Sequence, residues 1–318
     1  MRINWGFFLI FQLVFSYNNA MSFTDSIKIR ITKQISIPEV PSASGIEFFN
    51  NKLYVCGDNS PHLFVLNQEG QILEKILIAD SVLLDSNGVI PKSIKPDFEA
   101  MALVNDKNKS FLMLFGSGSL SPERDFYKTV SLDDKKTVNT YSLKGIYNQL
   151  RDYFETELNI EGVIIFENKI YLLNRFNNEI IRINFEVFNR LINGELDRAP
   201  FDTHYVSLPK EENLQPKFSG GCLIPNTSKF LFTATIEDTP NSYDDGEIGN
   251  SYVGIIDLTN TSKYIPPRLT KIPVINNSAP VKIESICILD SKKNRLNVAM
   301  VTDNDGKASE LIFATLEY

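Results

Sequence analysis

The chain is poor in the residues that carry most covalent and redox chemistry. Its 318 residues include three cysteines, two histidines and one tryptophan. Three cysteines build no disulfide framework, and neither a Cys-x-x-Cys pair nor a zinc-ligand spacing occurs. Cys56, Cys222 and Cys287 stand inside apolar strand-like runs and read as small buried residues rather than reactive thiols. With His62 and His204 as the only imidazoles, nucleophile–histidine hydrolysis is poorly supported, and both read as structural or surface residues. The Gly-x-Ser-x-Gly, P-loop and Gly-x-Gly-x-x-Gly fingerprints are missing as well. Positive charge is also short. Lys and Arg number 32 against 39 Asp and Glu, a net charge of −7, which argues against nucleic acid as a partner and suits a bound cation. No proline-rich, glycine-rich or low-complexity linker divides the chain, so residues 21–318 read as one domain.

Long hydrophobic runs are absent too. The most apolar stretch, residues 7–15, is broken by Gln12 and is too short to span a bilayer. Preceded by Arg2, residues 1–20 resemble a secretory signal peptide with a poor cleavage site, because Asn18 stands where a small residue is usual. The expectation is a secreted or periplasmic protein, or a cytoplasmic one if Met21 is the true start.

What the sequence does contain is a repeat. Five segments pair a Ser or Glu with a small residue and an apolar run. They begin at Ser44, Glu99, Glu161, Ser219 and Glu284, at intervals of 55, 62, 58 and 65 residues. The residues that follow are Gly45, Ala100, Gly162, Gly220 and Ser285. A strand-built repeat of this length predicts a β-propeller with one blade per repeat. Four short β-rich runs separated by polar turns fill each of the first four repeats, as at 44–48, 52–56, 62–66 and 71–78. The fifth repeat supplies only three, at 284–289, 296–301 and 310–316, while an alternating run at 26–37 is left unassigned. Pairing that N-terminal run into the last blade closes the ring and removes an open edge. The fold class expected is therefore all-β: a five-bladed propeller of four antiparallel strands per blade. Helical spacing appears at 143–154 and 185–193, expected to pack on the outside.

In a propeller the first strand of each blade lines the central channel, which makes Ser44, Glu99, Glu161, Ser219 and Glu284 one ring. The nearby Glu47 falls three places later and is not a ring member. Three carboxylates converging in a partly dry channel either take up protons or are balanced by a cation. Carboxylates with hydroxyls, carbonyls and water suit Ca²⁺, the cofactor expected, whereas zinc or copper would want imidazole or thiolate. The alternative is a water-filled structural channel with hydrogen-bonded acids.

These residues resemble the soluble calcium-activated nucleotidases (apyrases), a family of five-bladed propellers. The likeness rests on the Ser, Glu, Glu, Ser, Glu series, on Phe49-Asn50-Asn51-Lys52-Leu53-Tyr54, on Ile224-Pro225-Asn226-Thr227 and on Val281-Lys282-Ile283-Glu284. It touches all five blades and is thin between motifs. It implies one Ca²⁺ at the axis, an acidic turn matched by Gly57-Asp58-Asn59, and a basic position matched by Arg175. The Asp-Leu-Asp of that family's active site has no counterpart before Ser44, and two strands follow Glu284 here. The chain also resembles uncharacterised bacterial propellers related to phytase-like proteins.

The ends of the second strands would form a polar bowl on one rim: Asp58-Asn59, 116–119, Asn174-Arg175, Glu237-Asp238 and 303–306. Backbone N–H groups of 116–119 could face an anion, and Arg124 could clamp a phosphate oxygen or pair with neighbours on its loop. Residues 303–306 read as a tight turn, and the acidic loop 243–247 as solvated. The expected reaction is metal-assisted hydrolysis of phosphoanhydrides or phosphate esters. Asp58 or Glu237 would activate water, Arg175 and Arg124 would hold phosphate, and the protein would act as a monomer on a small phosphorylated molecule. The alternatives are a non-catalytic scaffold propeller stapled by its ion, or a lactone or ester hydrolase.

Overall fold

A computed structural model of the chain describes residues 27–79, 84–86, 88–106, 109–133, 136–239, 246–274, 280–304 and 308–318. The signal-peptide expectation of residues 1–20 lies outside the described residues. Strand β1 (Lys28–Ser36) precedes the first repeat. The first sheet runs β2 (Ala43–Phe49), β3 (Lys52–Gly57), β4 (His62–Leu66), β5 (Ile72–Leu77). The second runs β6 (Phe98–Asp106), β7 (Lys109–Gly116), β8 (Phe126–Ser131), β9 (Val138–Ser142). Helix α1 (Lys144–Phe154) leads to β10 (Ile160–Phe166), β11 (Lys169–Asn174) and β12 (Glu179–Asn184). Helix α2 (Phe185–Ile192) then leads to β13 (Phe201–Val206), which completes the third sheet. The fourth has β14 (Lys217–Leu223), β15 (Lys229–Asp238), β16 (Glu247–Asp257) and, after the short β17 (Tyr264–Ile265), β18 (Arg268–Lys271). The fifth has β19 (Lys282–Lys292), β20 (Arg295–Asp303) and β21 (Glu310–Glu317).

The last sheet is completed as expected from the unpaired N-terminal run. β1 lies antiparallel on β21, from Lys28 opposite Glu317 to Ser36 opposite Glu310. The inner strands β2, β6, β10, β14 and β19 each pack on the next, and β19 returns to β2, so the five sheets close into a five-bladed propeller.

Its apolar core is split among the five clefts between blades. Successive residues of a strand face opposite clefts: Leu53 and Val55 of β3 pack toward blade five, while Tyr54 and Cys56 pack toward blade two. Both faces are buried, which is why these strands read as continuous apolar runs rather than alternating ones. All three cysteines are buried and unpaired.

The helices fill the cleft between blades two and three. Ile146, Tyr147 and Leu150 of α1 meet Phe188 and Leu191 of α2 in one cluster with both blades. The Asn184 side chain caps α2 by accepting from Val187 N at 3.0 Å. Blade three departs from the expected four strands, because β17 joins it parallel to β13. The connection from blade four crosses this outer edge. Tyr205 N donates to Lys263 O at 2.8 Å, and the His204 ring meets Ser262 O at 2.9 Å. His204 therefore serves the blade edge and lies away from the channel.

Candidate functional site

Each inner strand carries a β-bulge at the same place. The pairing register shifts between Ala43 and Gly45, Phe98 and Ala100, Ile160 and Gly162, Phe218 and Gly220, and Ile283 and Ser285. The skipped residues are Ser44, Glu99, Glu161, Ser219 and Glu284. A bulge re-aims the side chain of its extra residue and bends the strand. Five bulges in register around a closed ring turn five side chains toward the axis. Close approach requires glycine at one of the positions that follow: a Cβ on Gly220 would stand 2.6 Å from Glu284 O and 2.7 Å from Ser285 Cα on the neighbouring strand.

The three ring carboxylates do converge. One oxygen each from Glu99, Glu161 and Glu284 lie within 4.8 Å of one another. Ser219 is fully buried, and its hydroxyl has no hydrogen-bond partner. The Ser44 hydroxyl donates to Phe98 O. Glu47 lies apart from this layer, where its Oε1 accepts from Leu103 N at 3.2 Å and burial pushes it up to about 7.

A second group of acids adjoins the ring. Asp58, which follows β3, and Asp97, two residues before Glu99, place oxygens within 4.8 Å of Glu99. Lys95 ties them together, paired with Asp58 and with Asp97 Oδ1 at 2.7 Å. On the opposite side, Arg175 donates to Glu237 Oε2 at 2.6 Å, with its Nε 3.8 Å from Glu161 Oε1. Lys282 Nζ lies 3.3 Å from Glu284 Oε1 and 3.5 Å from Glu237 Oε2. Asn159 Nδ2 donates to Glu161 Oε1 at 2.9 Å.

Of the residues expected to act, Asp58, Arg175 and Glu237 stand beside the ring. Arg124 is 2% exposed and sits behind Asp97, with its Nη1 2.7 Å from Asp97 Oδ2 and its Nη2 donating to Lys92 O at 3.1 Å. The 116–119 turn faces the same way, Ser117 Oγ donating to Asp97. The N–H groups of 117–119 are engaged within the protein rather than offered to an anion: Ser117 N donates to Asp97 O, Gly118 N to Arg124 O and Ser119 N to Ser117 Oγ. Residues 243–245 of the acidic loop and 305–306 of the last turn lie outside the described residues. Glu237 is anchored from that loop's end, where Gly246 N donates to its Oε1 at 3.2 Å.

Lys95, Asp97, Asn159 and Lys282 escape a reading of the lead positions alone. A signal was available two residues upstream, where Ser42, Asp97, Asn159, Lys217 and Lys282 are polar in every blade.

The electrostatics follow from burial. Burial, then the Glu161 carboxylate, push Glu99 well above the ordinary carboxylate range. Burial pushes Glu161 up to about 8 against the opposing pull of Arg175. Glu284 and Asp58 are raised by burial against the pull of Lys282 and Lys95 respectively. Burial works in the same sense on Asp97, but Lys95 and Arg124 overcome it and hold that carboxyl low. Six carboxylates (Asp58, Asp97, Glu99, Glu161, Glu237, Glu284) meet four cationic side chains (Lys95, Arg124, Arg175, Lys282). Among the described residues tied together by these ion pairs, carboxylates outnumber cations, and protons or a divalent cation would lower that excess; the Asp303 carboxylate acts on Lys282 as well. The donor set fits a hard cation: clustered carboxylates, an orphaned buried hydroxyl, and an Asn159 carbonyl oxygen that is also buried without a partner. No helix among the described residues is long and apolar enough to cross a membrane.

A family model described as "Family of unknown function (DUF6929)" matches residues 39–316. No curated protein gives a significant match. Among solved structures, a tail fibre of Staphylococcus aureus phage P68 is similar at 12% identity, with a TM-score of 0.50 over 92% of this chain and 53% of that one. This chain thus spans about half of the tail-fibre chain's length. A glutaminyl cyclase of Myxococcus xanthus is similar at 10% identity, with a TM-score of 0.49 over 91% of this chain and 96% of the other. At these identities the likeness concerns fold alone.

Proposed function

This chain belongs to the family of unknown function DUF6929, and we propose that it is a divalent-cation-binding propeller, with Ca²⁺ as the cation, that hydrolyses phosphoanhydrides or phosphate esters at the channel mouth. One observation carries the cation. Three carboxylates from blades two, three and five, two of them buried and Glu99 half-buried, meet at the axis beside the unpartnered Ser219 hydroxyl. Glu99, Glu161, Glu284 and Ser219 would hold the ion, and Ser44 would complete the ring with the lone pairs its hydrogen bond leaves free. The resemblance to calcium-activated nucleotidases and phytase-like propellers supports the choice of calcium and of phosphoryl substrates.

The bound cation would supply charge neutralisation and orientation of a phosphoryl oxygen. The remaining work falls to this chain. Asp58 is better placed than Glu237 to take a proton from water. Asp58 Oδ1 is buried with no partner, whereas Glu237 engages Gly246 N through one oxygen and Arg175 through the other. Arg175 and Lys282 stand over the ring as anion ligands, and Arg124 fixes Asp97 from behind. Phosphate release from nucleoside di- and triphosphates, sugar phosphates and phytate, assayed with Ca²⁺ and with EGTA, tests the reaction. No calcium-dependent turnover on any of them would sink it.

The scaffold reading has its own support. The ring draws on all five blades, so an ion there would staple the inner strands to one another. It predicts that EGTA lowers the melting temperature while no substrate is turned over. A panel of lactones and esters checks the remaining alternative.

A further inference from the structure

Two cations are clasped together at the channel mouth, between blades three and four. Arg175, which follows β11, donates from Nη1 to Phe218 O of β14 at 3.3 Å. Lys217, the first residue of β14, donates from Nζ to Phe176 O at 2.7 Å. Each reaches the backbone carbonyl of the residue that follows the other, so the clasp holds two like charges side by side. Like charges in a poorly screened site repel, and an ammonium drawn partly out of water costs free energy unless an opposite charge answers it. Arg175 has Glu237 and Glu161. Lys217 is half-buried, and among the described residues its partner is that neutral carbonyl and no carboxylate pairs with it. Burial, then the Arg175 and Lys210 charges, hold its ammonium below the ordinary lysine value. The equivalent positions two residues before the other ring members differ. Ser42 and Asn159 are neutral, Asp97 is paired with Lys95 and Arg124, and Lys282 is paired with Glu284 and Glu237 and feels Asp303. Blade four thus gives the ring a serine in place of an acid, and above it a cation that no acid among the described residues meets.

We propose that Lys217, beside Arg175 and with Lys210 nearby, binds a phosphate-type oxyanion on the blade-four side of the channel mouth. This rests on the phosphoryl reading above for the class of anion, and adds the residue that holds it and the side on which it sits. An ammonium has three N–H donors, and the Phe176 carbonyl takes one, which leaves two for anion oxygens. Lys210 is exposed in the segment before β14, and it too pairs with no carboxylate among the described residues. Two positive charges without carboxylate partners suit a dianion better than a carboxylate, which carries one negative charge.

The test is calorimetric titration with inorganic phosphate at pH 8, in EGTA and again in CaCl₂ kept below the precipitation of calcium phosphate, with acetate as the carboxylate comparison. The unaltered protein should bind phosphate more tightly than acetate. Lys217→Met, which keeps the aliphatic stem, should weaken phosphate binding roughly tenfold or more, the scale of one charge-assisted hydrogen bond. Lys217→Arg, which keeps the charge, should restore most of it. A lysine that merely ties down the Phe176 carbonyl would lower the melting temperature of Lys217→Met and leave phosphate affinity per folded molecule unchanged. Lys210→Met, at an exposed position, should weaken phosphate binding by a smaller factor, and an unchanged affinity there refutes the proposal even if the Lys217 variants do not fold. No phosphate binding by the unaltered protein in either condition, acetate bound as tightly as phosphate, or equal phosphate affinity in Lys217→Met overturns the proposal. The hydrolysis assay is read separately. Turnover with equal phosphate affinity in Lys217→Met overturns this site and leaves the hydrolase reading standing. Phosphate binding that depends on Lys217, with no turnover, upholds the site and removes the hydrolase reading.

Discussion

Replacing Glu161 with Gln should stabilise the metal-free protein above neutral pH and remove its stabilisation by calcium. The Glu161 side chain is 6% exposed, and oxygens of Glu99 and Glu284 lie within 4.8 Å of its own. Burial pushes its carboxyl from the ordinary 4.5 to about 8. A carboxyl whose folded pKa lies above its unfolded value holds its proton more tightly in the folded state. It costs nothing below about pH 4.5, and its penalty grows as pH rises through 8. For a lone group with those two values the penalty is about 1 kcal/mol at pH 5 and about 4 kcal/mol at pH 8. The latter is an upper bound for the variant's gain, because three acids share the axis and Arg175 loses one of its two carboxylate partners. Arg175 keeps Glu237 at 2.6 Å, and the Gln amide oxygen can still accept from Asn159. A gain of roughly 1–3 kcal/mol at pH 8, largely gone at pH 5, corresponds to a rise of a few degrees in melting temperature. Thermal melts at both pH values, in EGTA and in CaCl₂, read it directly. The reasoning fails if the variant melts below the parent at pH 8 in EGTA, or if calcium raises both melting temperatures equally.

Other expectations bear on the frame. Gly220→Ala should lose about 1–3 kcal/mol by overpacking, because the new methyl group meets backbone atoms of the adjacent inner strand; a chemical denaturation curve measures it. Arg124→Met should destabilise by roughly 3 kcal/mol, removing one of the two cations paired with Asp97, while phosphate release per folded molecule changes little. An equal or larger loss of turnover without loss of stability would restore Arg124 as a direct phosphate ligand. A chain starting at Ile37 lacks β1 and bares the β21 edge, so size-exclusion chromatography should show oligomers or aggregate in place of a monomer.

The blade count, strand order and closure were legible because each repeat carries turns between apolar runs, and because one strand was missing at the end and one spare at the start. The ring was legible because its lead residues precede small ones in every blade. The bulges were not, since a register shift leaves no mark in composition. They explain why Ser44 and Ser219 hold the same place in their strands as the three ring acids. The cations around the mouth also escaped, apart from Arg175. Lys95 and Lys282 come from the segments entering inner strands, two to four residues upstream of ring acids, and acquire meaning only when the propeller closes. Arg124 looked like a surface clamp in a loop rich in Ser, Pro and Asp. Its burial depends on the approach of Asp97, which lies 27 residues earlier in the chain.

The central claim, a cation held by the axial ring, is tested most directly by elemental analysis of purified protein after calcium loading and exhaustive dialysis, with Glu99→Gln and Glu161→Gln alongside. The account predicts close to one calcium per chain in the parent and loss of the ion in both variants. Calcium retained in both variants, or none in the folded, loaded parent, would contradict it.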